Sequence, residues 1–395
     1  MPIRRELLSN EEIQEVREHA LREIAPLKPA ATWPSWGHGG KRTVAGESLP
    51  AYYLVHFLLV ELLGFGHTGP EEKVAWTIGV DLDGSIATIE HRKLGLGIFS
   101  PATPEDEAVA KRIVRAIQKG VKVSKPFFDH LVALAMQRSA LNVINNSRWL
   151  FARYEYLRDH FRKKLSIAEA RKDEVKRTIH KRSKGILGGV SYSFPGFRLK
   201  QEADWTGIAA IEAFFSWTEH VLIHIAILQG KLTTGKQVED LAVADWSEKV
   251  RVALDLNDIA TKQLYDELTI IRRQIRNYIA HGAFGKQGEA FDFHSKAGAV
   301  PVTLTDPQAW GRFSVFGAPS FDEAAAIRTA EEFVANLWSG PLAPAKLYVQ
   351  EAELPIILTY ANNGTYRRAM ASSTAMEDFV RNLSHQMDEA ANMDW

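Results

Sequence analysis

The 395-residue chain contains no cysteine. That excludes a disulfide framework, thiolate nucleophiles, thiolate zinc sites and iron-sulfur clusters, and it fits a reducing compartment. Net charge is lacking too, because 48 Lys and Arg balance 48 Asp and Glu, so the chain as a whole exerts no pull on a polyanion. The N-terminal stretch MPIRRELLSNEEIQEVREH has charges where a secretory signal has an apolar run, so a cytoplasmic location is expected. GFGHTG and GLGIF hold glycines, but no GxxxxGK[ST] occurs, nor any GxGxxG at a strand-to-helix junction, which argues against a phosphate loop and leaves no cofactor to expect.

What is present is an ordinary globular composition, 46% apolar and 24% charged. At this length two or three domains are expected. The longest apolar stretch, GIAAIEAFFSWTEHVLIHIAIL at 207–228, is long enough to span a bilayer but carries Glu212, Glu219, His220 and His224. Those groups are costly in lipid, so the stretch reads as a buried helix with no membrane partner.

The pattern predicts a mainly α fold. Ser9 and Glu12 have capping-box spacing for a helix to about Ile24, and Gly64 stops a short buried helix at AYYLVHFLLVELLG. Asp83-Gly84 between two β-rich runs signals a hairpin. Thr103 and Pro104 mark a helix through about Gln118. Residues 127–165 read as one long or kinked helix, with Ser166 and Glu169 capping the next, which passes into the basic turn HKRSKGILGG. Lys231 to Lys236 read as a loop, and a helix from Asn257 or Asp258 carries Leu264, Leu268, Ile271, Ile275 and Tyr278 at spacings of three and four until Gly282. Beyond it come an alternating strand at 289–304, a helix at AAAIRTAEEFVANLW, a candidate strand LPIILTY and an acidic amphipathic tail helix. The expected organisation is an N-terminal α/β region with a hairpin (1–125), a helical domain (126–285) and a C-terminal α+β region (286–395).

Chemistry concentrates in RRQIRNYIAHGAF, residues 272–284. Arg272 and Arg276 share a helix face, and so do Asn277 and His281. Arg276 and His281, five residues apart, diverge by about 140°. On one helix they point apart, so they make chemical sense mainly as half of a two-fold site. A histidine in the last turn stays usable as acid or base near neutrality, and arginine is a bidentate phosphate clamp. Metal-free RNA cleavage needs a base for the ribose 2′-hydroxyl, an acid for the leaving oxygen and cations for the phosphate.

Arg276 to His281, R-N-Y-I-A-H, resembles the Arg, polar residue, then His signature of HEPN domains (higher eukaryotes and prokaryotes nucleotide-binding). The likeness in character covers roughly 126–285. It implies a helical bundle that dimerises to join two motifs into a composite cleft, and in many members a metal-independent endoribonuclease of toxin, anti-phage or CRISPR-associated systems. The resemblance assigns Arg276 to the scissile phosphate, His281 to general base or acid, and Asn277 to orienting the pair or the ribose, with Arg272 and Arg273 as further substrate cations. RNA, a second copy and a regulatory or phage-derived partner are the partners it implies. The alternative is a non-catalytic HEPN scaffold that binds a nucleotide, nucleic acid or protein.

Glu212, Ser216, Glu219 and His220 form a polar stripe on an otherwise apolar helix. The resemblance has this stripe face Arg276 and His281, with Glu212 or Glu219 pairing Arg276; internal ion pairs elsewhere explain each residue equally well. His220 and His224, four apart, have metal-ligand spacing but no third ligand, and core histidines are the favoured reading, with no metal expected. Asp81, Asp83 and Gly84 match a fragment of a calcium loop, but Arg92 stands where the closing glutamate belongs, so a turn explains them better. From Arg148 to Lys200, fifteen Lys or Arg face five Asp or Glu. This run, with Trp149, Tyr154 and Tyr156, is either an RNA track or a solvated face.

Overall fold

The structure, a computed structural model, describes residues 7–34, 39–101, 103–180, 189–281, 289–296, 298–304, 313–314 and 322–392. The side chains of 277–281, 289–293, 301–304, 313–314 and 390–392 lie outside that description. Helix is the dominant element, as expected. The chain divides into two compact units, residues 1–140 with 385–395, and residues 141–384. The first break therefore falls at 140/141 where 125/126 was expected, and 286–384 shares a unit with 141–285.

The first unit opens with α1 (Asn10–Ile24), whose capping box forms as expected: the Ser9 hydroxyl accepts from the Glu12 N–H, and the Glu12 carboxylate accepts from the Ser9 N–H. Next come β1 (Leu27–Pro29), β2 (Lys41–Arg42) and α2 (Tyr52–His56), which widens into a π-helical stretch through Leu62 before Gly64, at φ 75°, ends it. β3 (His67–Thr68), β4 (Val74–Leu82), β5 (Ser85–Arg92), β6 (Gly95–Ser100), α3 (Asp106–Val123) and α4 (Lys125–Gln137) complete the unit's described core elements. The antiparallel sheet has the order β1-β4-β5-β6-β2, with β3 also on β4. Asp83 and Gly84, at φ 54° and 86°, form the expected two-residue turn, a conformation that matches the twist of the paired strands.

Alternation along these strands aims Ile78, Val80, Leu82, Ala87 and Ile89 at Ala20 and Ile24 of α1 and Ile113 and Ile117 of α3. Each such aliphatic contributes about 1.5–3 kcal/mol by leaving water. The Thr103-Pro104 signal proves to be a turn. The Asp106 carboxylate accepts from both the backbone N–H and the hydroxyl of Thr103, so the helix starts at Asp106 and runs on to Val123.

The second unit contains β7 (Asn142–Val143), α5 (Ser147–Ala170), β8 (Lys176–Ile179), β9 (Val190–Ser193), α6 (Pro195–Leu228), α7 (Gly235–Val243), α8 (Trp246–Ala253), α9 (Ile259–His281), β10 (Glu289–Ser295), β11 (Gly298–Leu304), β12 (Phe313–Ser314), α10 (Glu323–Leu337), α11 (Ala343–Lys346), β13 (Ile356–Ile357), α12 (Leu358–Asn362), α13 (Thr365–Ala369) and most of α14 (Ser373–Asn392). α5 and α6 form a long helical hairpin, and α10 packs on α6 and α9. α6 is long and apolar enough to cross a membrane by composition alone. Its interior positions are enclosed by protein, as the core helix of a folded unit requires.

Several expectations fail here for identifiable reasons. The single helix expected over 127–165 is two helices, because Ser139 turns left-handed at φ 52° and β7 pairs with β13. The Asn145 side chain holds the break: its oxygen accepts from the Ser147 N–H, and its amide donates to the carbonyls of Val349 and Leu354. Ser166 lies inside α5 and caps nothing. The helix expected after it is replaced by the β8–β9 hairpin; of HKRSKGILGG, residues 181–188 lie outside the described residues. α7, capped by a Thr234–Gln237 box, begins inside the expected loop. The strand at 289–304 is a β10–β11 hairpin, and LPIILTY gives only a two-residue strand before α12.

Candidate functional site

From Gly207 onward α6 buries Ile211, Phe214, Trp217, Val221, Leu222 and Ile225. A helix with this much apolar surface has one face left for polar groups, and the spacings of four and three put Glu212, Ser216 and Glu219 on it. α9 starts with the Asp258 carboxylate accepting the Thr261 N–H and turns Leu268 and Ile275 inward. Arg272 and Arg276 then stand one turn apart, about 6 Å. Glu212, Phe215, Ser216 and Glu219 of α6 line a single open cleft of ≈ 480 Å³ with Arg272, Ile275 and Arg276 of α9.

The charges inside it are ordered. One Glu219 oxygen accepts from Arg272 Nη2 at 2.7 Å, and the other accepts from Lys249 Nζ at 3.0 Å. Lys249 is 3% exposed, so this carboxylate holds a buried ammonium as well as a guanidinium. The Arg272 guanidinium carbon lies 5.5 Å from the Phe215 ring centre and 5.7 Å from that of Trp246. Such aromatic faces favour a cation. Trp246 is itself fixed by donating from Nε1 to Thr218 Oγ1 at 2.9 Å and by stacking on Tyr265. Arg272 Nη1 is buried and has no hydrogen-bond partner among the described residues. Arg276 and Glu212 are exposed at the cleft and make no ion pair among the described residues. Among the described residues, one arginine is thus fixed with a buried donor unused and a second, exposed, makes no ion pair, an arrangement suited to gripping an oxyanion.

Arg276 was expected to pair with Glu212 or Glu219, and the structure gives Glu219 to Arg272 and Lys249 instead. Arg273 is exposed and does not line the cleft. Asn277 and His281 fall within α9 by backbone, while their side chains lie outside the described residues, as does Gly282. His220 leaves the stripe. Its Nε2 accepts the Asn146 N–H at 2.9 Å and its ring sits 4.2 Å from that of His224. Burial, with His224 beside it, pushes its pKa down to about 3, so it is neutral at ordinary pH. The His224 ring nitrogens face the carbonyls of His220 and Ile144, and burial lowers its pKa too. No group of three His, Asp or Glu able to hold a metal ion occurs among the described residues; His224 is buried and His220 partly so.

Lys249 was missed, although the sequence held a signal. On α8 it shares a face with Trp246, Val250 and Ala253, all buried, and a lysine at an apolar-face position implies a carboxylate waiting for it. Of the aromatics expected beside the basic run, Trp149 and Tyr156 are exposed and Tyr154 is fully buried. No protein-family model, curated protein or solved structure matches the chain.

Proposed function

We propose that this chain is a metal-independent endoribonuclease of the HEPN type, acting on RNA as a homodimer in a defence or toxin-like role. The observation that carries the reading is the α6–α9 cleft, where a polar stripe of one helix meets Arg272 and Arg276 of another, on the helix whose last residue is His281. In this reading Arg276 holds the scissile phosphate and Arg272, fixed by Glu219, supplies a second donor. His281 takes the proton from the 2′-hydroxyl, whose oxygen attacks phosphorus while the bond to the 5′-oxygen breaks. The products are a 2′,3′-cyclic phosphate and a 5′-hydroxyl, the leaving oxygen receiving its proton from the second His281 of the dimer. Asn277 orients the ribose or the pair.

Incubation with single-stranded RNA in excess chelator tests this. Cyclic-phosphate ends are expected, with His281→Ala and Arg276→Ala each slower by about 100-fold or more. No cleavage by the wild-type protein under these conditions sinks the enzymatic reading and leaves an RNA- or nucleotide-binding scaffold.

A further inference from the structure

α6 has a second feature that the cleft does not use. Towards its N-terminus two aromatic rings stand in solvent, Phe197 at 75% and Trp205 at 58% exposure. At 100° per residue, Phe197, Gln201 and Trp205 fall in the same sector, about 100° wide, as Glu212, Ser216 and Glu219. The exposed rings and the cleft thus lie on the same side of the helix, with the buried Ile208 between Trp205 and Glu212. Trp205 lies about 10 Å from Glu212 along the axis, and Phe197 about 12 Å beyond Trp205.

Just before α6 begins, the paired strands β8 and β9 are exposed at every residue. The register sets Arg177 opposite Tyr192 and Ile179 opposite Val190, and cross-strand partners share a face. That face therefore combines a cation, an aromatic ring and two aliphatic side chains, with Tyr192 59% exposed. The ribbon's base is fixed by Gly196, where an added Cβ would stand 2.5 Å from the Arg171 carbonyl oxygen. From Arg171 to Lys200 nine Lys or Arg face two Asp or Glu, with Arg171, Lys172, Lys176, Arg198 and Lys200 ion-paired to Glu174, Glu169, Glu202 and Asp204. A protein-docking patch is depleted of charge at its centre. Separate exposed rings among cations instead match the way single strands are held, by stacking of bases and by attraction of the backbone.

We infer that this face binds single-stranded RNA, with Trp205 and Phe197 as stacking platforms and Tyr192 with Arg177 as a further platform and phosphate contact. The strand then leads along α6 into the cleft. Its identity as the substrate rests on the ribonuclease reading; the binding itself does not.

The test is fluorescence anisotropy of a labelled 2′-O-methyl oligouridine of about 20 nucleotides, longer than the ~4–16-nucleotide sites of single-strand binders. It has no free 2′-hydroxyl, so it reports binding without cleavage. Trp205→Ala and Phe197→Ala should each weaken binding at least about fivefold, and Arg177→Ala should make the salt dependence shallower. All three positions are exposed, and an unchanged circular dichroism spectrum certifies the fold. Binding that is absent in the wild type, or equal in wild type and in the Phe197→Ala/Trp205→Ala double variant, overturns the proposal even if RNA is cleaved. Loss of self-association in the double variant, without loss of oligouridine binding, also overturns it and assigns the face to a second copy. Weakened binding by these variants in a protein that cleaves no RNA upholds the track and sinks the nuclease reading.

Discussion

Replacing Glu219 with alanine removes the carboxylate that both Lys249 and Arg272 contact. Lys249 is 3% exposed, and a buried charge left without its partner costs about 3–5 kcal/mol. The Glu219 side chain is 34% exposed, so water entering from the cleft offsets part of this, and a loss of about 2–4 kcal/mol is expected. Glu219→Gln keeps an acceptor for one cation and should cost about 1–2 kcal/mol. The sharper measurement is the cycle with Lys249→Met. With the ammonium gone, the position lies on an apolar face beside Trp246 and Val250, so Glu219→Ala/Lys249→Met should recover at least about 1.5 kcal/mol relative to the sum of the single changes. Urea unfolding followed by far-UV circular dichroism reads this as a shift in midpoint at constant slope. A Glu219→Ala protein within about 0.5 kcal/mol of wild type, or strictly additive single changes, would refute the assignment of Glu219 as the counter-ion of Lys249.

Other perturbations have equally definite signs. His220 is held below its ordinary pKa in the folded protein, to about 3, so between pH 6.5 and 3 the unfolded chain binds a proton that the folded chain refuses. Stability should therefore fall as pH drops through this window, by roughly 1 kcal/mol at pH 5 after discounting for partial exposure. His220→Gln, which keeps an acceptor for the Asn146 N–H, should flatten that acid limb in thermal melts. Gly196→Ala places a Cβ against the backbone of Arg171 and Lys172; a loss of about 1–3 kcal/mol and faster amide exchange in the β8–β9 ribbon are expected. Ser9→Ala removes the α1 cap and should lower stability by about 1 kcal/mol, read as a shift in denaturation midpoint.

The parts of the fold that were legible in the sequence are those fixed by neighbours along the chain. The Ser9–Glu12 box, the Asp83-Gly84 turn and the spacing of Leu268 and Ile275 on α9 each follow from local geometry. The break before α5 does not: the left-handed Ser139 and the Ala140 after it close α4 through local bonds to Met136 and Ala135, but the strand at Asn142 and the turn at Asn145 are stabilised by residues more than two hundred positions away. The basic stretch after α5 misled in another way. Lysine and arginine are good helix formers, and the β-rich VSYSF that pairs with β8 overrides them. At the candidate site, one apolar helix with three polar residues at spacings of four and three can place them only together, so Glu212, Ser216 and Glu219 were readable. Which arginine Glu219 takes was not, since that depends on how α9 crosses α6.

The Asn145 amide donates to carbonyls that the ribosome adds 204 and 209 residues later. The contacts that hold the start of α5 are incomplete until the chain past Leu354 has been made. Contacts this distant slow folding through the entropy of closing the intervening loop. The cleft residues of α6 and α9 are all synthesised before that closure. A nascent or truncated chain lacking residues 349–357 would carry every residue of the candidate site and still leave α5 unpinned.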